Sequence, residues 1–168
     1  MATKGNNLSD FDKTKLPEAK DFKIGLVVAE WNAEITENLF QGAFDTLIEA
    51  GVIKENIVRW NVPGSFELIY GCKKMAESFA MLDAIIAIGN VIQGETKHFD
   101  FVCQGVTQGI RQLNVEGDIP ILFCVLTDNT KQQSIDRSGG KHGNKGTESA
   151  VAAIHMAELK KNSKFYEL

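Results

Sequence analysis

The 168-residue sequence predicts an α/β three-layer sandwich built on a four-stranded parallel sheet. Three observations predict it. Apolar runs at residues 23–29, 56–62, 83–89 and 120–126 alternate with stretches of helical periodicity, and strands that alternate with helices join into parallel sheets through right-handed crossovers. The first run, Lys23-Ile24-Gly25-Leu26-Val27-Val28-Ala29, is continuous rather than alternating, as a strand covered on both faces requires. A hydrophobic content of 43% with 24% charged residues suits one domain with its own core.

Each element has its own signal. Residues 1–21 mix Lys, Asp, Asn and Ser around Pro17 with neither hydrophobic period, so they read as a flexible arm or as a segment ordered by a neighbouring subunit. The single domain covers residues 22–168. After the first strand, Ile35, Leu39, Phe40, Ala43, Leu47 and Ile48 keep helical spacing over residues 35–50, and Gly51 stands where a left-handed helix stop belongs. The second strand, 56–62, turns at Pro63-Gly64 into a helix over 66–78. Residues 83–89 form the third strand, and a loop through Gly94 leads to a helix over 98–115. The fourth strand, 120–126, precedes a short helix at 130–137, a glycine-rich loop and a terminal helix at 146–161.

Composition also excludes whole classes. A net charge of −4 with no basic stripe argues against nucleic acid as a partner. Cys72, Cys103 and Cys124 are odd in number and sit among apolar neighbours, the pattern of reduced core thiols rather than of disulfides or a metal site. No apolar run approaches the roughly 18 residues of a membrane span, and the first twenty residues are too polar for a signal peptide. The expected location is the cytoplasm, with no membrane partner.

In open parallel sheets ligands collect at the carboxyl ends of strands, and the segments found there carry chemistry. Trp31 and Asn32 follow the first strand; the indole offers a stacking face for a planar ring, or packs on a helix. Gly64, Ser65, Phe66 and Glu67 combine free amides, a hydroxyl and a carboxylate at a helix start, which suits ligand hydroxyls, while for Ser65 and Glu67 the favoured reading is ordinary helix capping and dipole stabilisation. In Gly94-Glu95-Thr96-Lys97-His98-Phe99-Asp100, amides and the Thr96 hydroxyl can cradle a phosphate. His98 beside them carries an imidazole, which as a class shuttles protons near neutrality, although a histidine at a helix start is also a common surface residue. The stretch Arg137-Ser138-Gly139-Gly140-Lys141-His142-Gly143-Asn144-Lys145-Gly146-Thr147-Glu148 gathers glycines, cations and a carboxylate. It lacks the order of a nucleotide P-loop. Arg137 can grip a phosphate through two parallel bonds; Lys145 and Glu148 read either as site residues or as a surface ion pair.

These motifs, namely Val62-Pro63-Gly64-Ser65-Phe66-Glu67, the Gly94 to Asp100 segment and Gly143-Asn144-Lys145-Gly146-Thr147-Glu148, resemble those of the lumazine synthase (6,7-dimethyl-8-ribityllumazine synthase) family over residues 22–161. The resemblance implies a flavodoxin-like sheet and a transferase of riboflavin biosynthesis. Its reaction condenses 5-amino-6-(D-ribitylamino)uracil with 3,4-dihydroxy-2-butanone 4-phosphate and releases phosphate and water, with no metal and no organic cofactor. By the same resemblance Trp31, with Asn32 beside it, takes the place of an aromatic stacked on the pyrimidine, and Gly64, Ser65, Phe66 and Glu67 hold the ribityl chain. Val91 and Ile92 line the ring pocket, Gly94, Glu95 and Thr96 form the phosphate-side turn, and His98 is the proton shuttle. Arg137 binds phosphate, Phe123 and Lys145 come from an adjacent subunit, and Glu148 pairs with that lysine. Gln93 stands where many members have Arg, which shifts phosphate binding toward Arg137 and the backbone amides. The implied partners are further copies of this chain in a pentamer, as such or stacked into a decamer or closed into an icosahedral shell, and riboflavin synthase. The uninterrupted 138–144 linker permits a shell, and the arm is then expected to add a strand to a neighbour's sheet. Two alternatives share the architecture, an archaeal-type riboflavin synthase and a non-catalytic lumazine or flavin carrier or shell protein; the Gly-Asn-Lys-Gly segment with Arg137 favours the phosphate-releasing reaction over the first, and His98, Arg137 and Lys145 together speak against the second.

Overall fold

The structure, a computed structural model, describes residues 12–163. Four strands, β1 (Ile24–Ala29), β2 (Ile57–Val62), β3 (Ala84–Ile92) and β4 (Ile121–Asp128), form one parallel sheet in the order β2-β1-β3-β4. Because side chains alternate across a strand, Ile24, Leu26, Val28, Ala84, Ile86 and Ile88 face one apolar layer while Val27, Ala29, Ile85 and Ala87 face the other. Helices α1 (Ala33–Glu49) and α5 (Lys145–Ser163) cover the first face; α2 (Leu68–Ser78) and α3 (His98–Glu116) cover the second. The result is the predicted three-layer sandwich, with the topology of a flavodoxin-like sheet.

Small residues set the spacing of the layers. Gly105 and Gly109, one turn apart on α3, leave room for Phe66 and Ile69: an added Cβ would stand 2.6 Å from the Phe66 ring and 2.5 Å from Ile69. Across the sheet, Ala150, Ala153 and Ala157 of α5 are buried against α1. Gly146 begins that contact, and a Cβ there would lie 1.8 Å from the Leu39 carbonyl oxygen. Gly51 ends α1 with φ of 96°, as the helix-stop reading requires.

Three features depart from the sequence reading. Strands β3 and β4 run past Gly89 and Leu126, pairing Asn90 with Leu126, Val91 with Thr127 and Ile92 with Asp128. The glycine-rich loop after α4 (Lys131–Arg137) is a small antiparallel ribbon, β5 (Ser138–Gly140) with β6 (Gly143–Asn144), in which Gly139 and Gly143 take positive φ. Helix α2 starts at Leu68 rather than at residue 66. Residues 1–11 of the segment read as an arm, and with them the expected strand addition, lie outside the described residues; within 12–21, Ala19 is buried and Leu16 packs on the α1–α5 layer. All three thiols are free, with Cys72 and Cys124 buried and Cys103 half-buried. Burial pushes the Cys72 thiol up to about 12 and that of Cys124 up to about 11, so both stay protonated and inert at neutral pH. No described helix is long and apolar enough to cross a membrane.

Candidate active site

The carboxyl ends of β1 and β3 and the starts of α2 and α3 enclose a cleft of about 680 Å³. Trp31, 71% exposed, stands over it, its backbone N–H donating to the Pro63 carbonyl at 3.1 Å. Asn32, next along, adopts the left-handed conformation (φ 59°, ψ 46°) and is the one non-glycine with positive φ among the described residues. Asparagine tolerates that region better than most residues, and here its side-chain amide donates to Asn90 Oδ1 at 2.8 Å. The sharp turn swings the chain from β1 into α1 and leaves the indole at the rim.

Gly64, Ser65, Phe66 and Glu67 line the same cleft. The helix-capping reading of Ser65 and Glu67 does not hold, because α2 has no side-chain cap. Ser65 instead brackets Asn90, accepting from its N–H at 3.1 Å and donating to its C=O at 3.3 Å. Glu67 stays exposed with its carboxylate lying over Gly64, where a Cβ would come within 2.9 Å of it. A carboxylate beside open space is free to accept from ligand hydroxyls. Val91, Ile92, Gly94, Thr96 and His98 complete this wall, and the His98 N–H donates to the Thr96 hydroxyl at 3.4 Å. Gln93 and Glu95 lie outside the lining; Gln93 extends the β3–β4 pairing through its N–H to the Asp128 carbonyl at 2.9 Å.

The remaining predicted residues gather elsewhere. Phe123, Arg137, Lys145 and Glu148 line a second cavity of about 760 Å³ along β4, the open edge of the sheet, and the two cavities share no lining residue. Thr130 and Gln133 form a capping box that fixes α4, and Arg137 emerges from its last turn, where a cation complements the helix dipole. Its guanidinium donates to the Gln133 carbonyl at 3.0 Å and faces Asp128 at 3.8 Å, with further N–H groups left to point into the cavity. Lys145 and Glu148 meet at 2.5 Å and are only 19% and 16% exposed, which makes them a sheltered pair in the cavity wall rather than a solvated surface pair. The chain therefore carries an aromatic cleft lined by hydroxyl and carboxylate groups and, separately, a cationic cavity.

The family model of 6,7-dimethyl-8-ribityllumazine synthase matches residues 21–161. The chain belongs to that family. It is 75% identical to the 6,7-dimethyl-8-ribityllumazine synthase of Christiangramia forsetii over 99% of both chains. It is 64% identical to that of Flavobacterium johnsoniae over 97% of this chain and 85% of the relative, and 56% identical to that of Porphyromonas gingivalis over 96% and 99%. Against this lumazine synthase framework the structure adds cleft residues that sequence reasoning missed: Asn90, Phe99, Phe101 and Val102. Asn90 opens the polar segment after the third strand and Phe99 falls within the Gly94 to Asp100 motif, but neither side chain carries a chemical signal of its own, and Phe101 and Val102 read as the apolar surroundings of Cys103. The rings of Phe66 and Phe101, 51% and 68% exposed, lie in the cleft wall.

Proposed function

We propose that each active site is shared by two protomers, the Trp31–His98 cleft of one closed by the Arg137–Lys145 cavity of its neighbour. The reaction is the lumazine synthase step, condensation of 5-amino-6-(D-ribitylamino)uracil with 3,4-dihydroxy-2-butanone 4-phosphate in riboflavin biosynthesis. The observation that carries the shared site is the division of the family's motif residues between two cavities with no lining residue in common. A head-to-tail interface places one of each at every contact and closes into a ring. A pentamer is the ring we infer, free or as the unit of a larger shell, in the cytoplasm, with riboflavin synthase taking the product.

In this arrangement Trp31 stacks on the pyrimidine and Glu67 accepts from ribityl hydroxyls. Thr96, the amide of Gly94 and Arg137 of the neighbour hold the phosphate. Imine formation joins the amine nitrogen to the ketone carbon and expels water; elimination then removes a carbon-bound proton and expels phosphate as a dianion. After the resulting enol tautomerises to a ketone, the ribitylamino nitrogen closes the ring on that carbonyl and expels a second water. His98 takes and returns protons through these steps, and Arg137 with Lys145 stabilises the departing charge. Holding two reactive molecules together supplies a large share of the acceleration.

Incubation with both substrates should generate lumazine absorbance and inorganic phosphate together, and neither substrate alone should do so. His98→Ala is expected to slow turnover about a hundredfold while leaving substrate binding largely intact. A variant within about twofold of the parent would remove His98 from the proton path.

A further inference from the structure

Between the two half-sites of a protomer runs a single buried line of hydrogen bonds. Asn32 Nδ2 donates to Asn90 Oδ1 at 2.8 Å, Asn90 Nδ2 donates to Ser134 Oγ at 2.9 Å, and Ser134 Oγ donates to Asp128 Oδ2 at 2.8 Å. The other oxygen of Asp128 faces Arg137 Nε at 3.8 Å. Asn90 is 1% exposed, Ser134 0% and Asp128 8%, and Ser134 lines neither cavity.

The polarity of this line is forced from its charged end. The Ser134 hydroxyl donates to the Asp128 carboxylate oxygen and so has only its lone pairs left for Asn90. Asn90 must therefore turn its NH2 toward Ser134 and its oxygen toward Asn32. Every donor points toward Asp128, the head-to-tail order in which hydrogen bonds polarise and strengthen one another. At one end the line holds the left-handed Asn32 that sets the place of Trp31; the backbone of Asn90 also holds Ser65. At the other end it sets where Arg137 sits.

We infer that Asn90, Ser134 and Asp128 are positioning residues that order the heterocycle half-site and the phosphate half-site of one protomer as a unit. The inference rests on the shared-site reading, under which those half-sites serve different active sites, so the line couples adjacent sites around the ring. Ser134→Ala cuts it in the middle without touching either cavity. The expected result is a rise of about fivefold or more in KM for both substrates and in the inhibition constant for inorganic phosphate. Assembly by sedimentation and far-UV circular dichroism should be unchanged. Ser134→Cys, which keeps the shape but replaces the hydroxyl by a weak donor, should do the same and serves if Ser134→Ala fails to assemble. A purely structural role would lower the melting temperature and leave both KM values within about twofold, which overturns the inference; so does a change in only one of them. Arg137→Ala run in parallel separates the levels: if it raises the phosphate-substrate KM while the line variants are silent, only the coupling is wrong. If it is silent too, the shared-site reading falls and the inference with it.

Discussion

Arg137→Ala is expected to lower kcat/KM for the butanone phosphate by about a hundredfold to a thousandfold, or about 2.7–4 kcal/mol of lost transition-state stabilisation. The guanidinium is held at the end of α4 by the Gln133 carbonyl and faced by Asp128, in the wall of a cavity whose one other cation among the described residues is Lys145. Lys145 is already engaged by Glu148 at 2.5 Å. On the proposed shared site, loss of Arg137 leaves the departing phosphate only the Glu148-paired Lys145 as a cationic partner in this cavity. Part of the loss should appear in KM, because the ground-state phosphate is bound too, and part in kcat, because charge develops on the leaving oxygen. Arg137→Lys should recover only a fraction, since an ammonium does not reproduce a two-pronged grip. Steady-state kinetics with the butanone phosphate varied at saturating amine would measure both parts. A drop smaller than about fivefold would assign the phosphate to the Gly94–Thr96 turn instead.

Gly146→Ala is expected to be strongly destabilising, because its Cβ makes the closest approach among the described helical glycines. Its Cβ would fall 1.8 Å from the Leu39 carbonyl oxygen and 2.7 Å from the Leu39 carbonyl carbon. Both are backbone atoms in the middle of α1, so no rotamer change relieves the clash and the two helices must separate. Overpacking of this kind costs about 3 kcal/mol or more, and about 6–12 °C in melting temperature for a domain of this size. The displaced segment carries Lys145 on one side and Thr147 on the other; the Thr147 hydroxyl is tied to the Gly42 carbonyl at 3.2 Å. Activity should therefore fall along with stability. A melting temperature within about 2 °C of the parent would mean that α5 does not approach α1 as described.

The main frame of the molecule was legible because it rests on simple periodicity. Runs such as Ile24 to Ala29 are buried on both faces, and residues Ile35, Leu39, Ala43 and Leu47 form one buried stripe. Legibility failed where polar groups are satisfied from far along the chain. Asn90 and Asp128 read as positions beyond the strands in the sequence, yet Asn90 lies inside β3 and Asp128 closes β4, with Asn32 and Ser134 supplying their partners from other elements. The ribbon of β5 and β6 was missed for a different reason: five residues, three of them glycine, are too few to show a period of two. The site residues were recognisable as types and as motifs. Their separation into two cavities was not, since it depends on α4 turning Arg137 toward the open edge of β4 while the β1–α1 turn directs Trp31 toward α2 and α3.

The shared site is tested most directly by mixing two variants broken in different halves. His98→Ala disables the cleft and Arg137→Ala the cationic cavity, and each alone should be nearly inactive. Unfolded together in equal amounts and refolded into mixed rings, they should regain activity, because wherever an Arg137→Ala protomer offers its intact cleft to the intact cavity of a His98→Ala protomer one complete site is rebuilt. Random mixing around a head-to-tail ring predicts about a quarter of the parental activity. Mixed rings, verified by mass spectrometry, that stay as inactive as the separate variants would show that both residues must act from the same protomer, and would contradict the shared site.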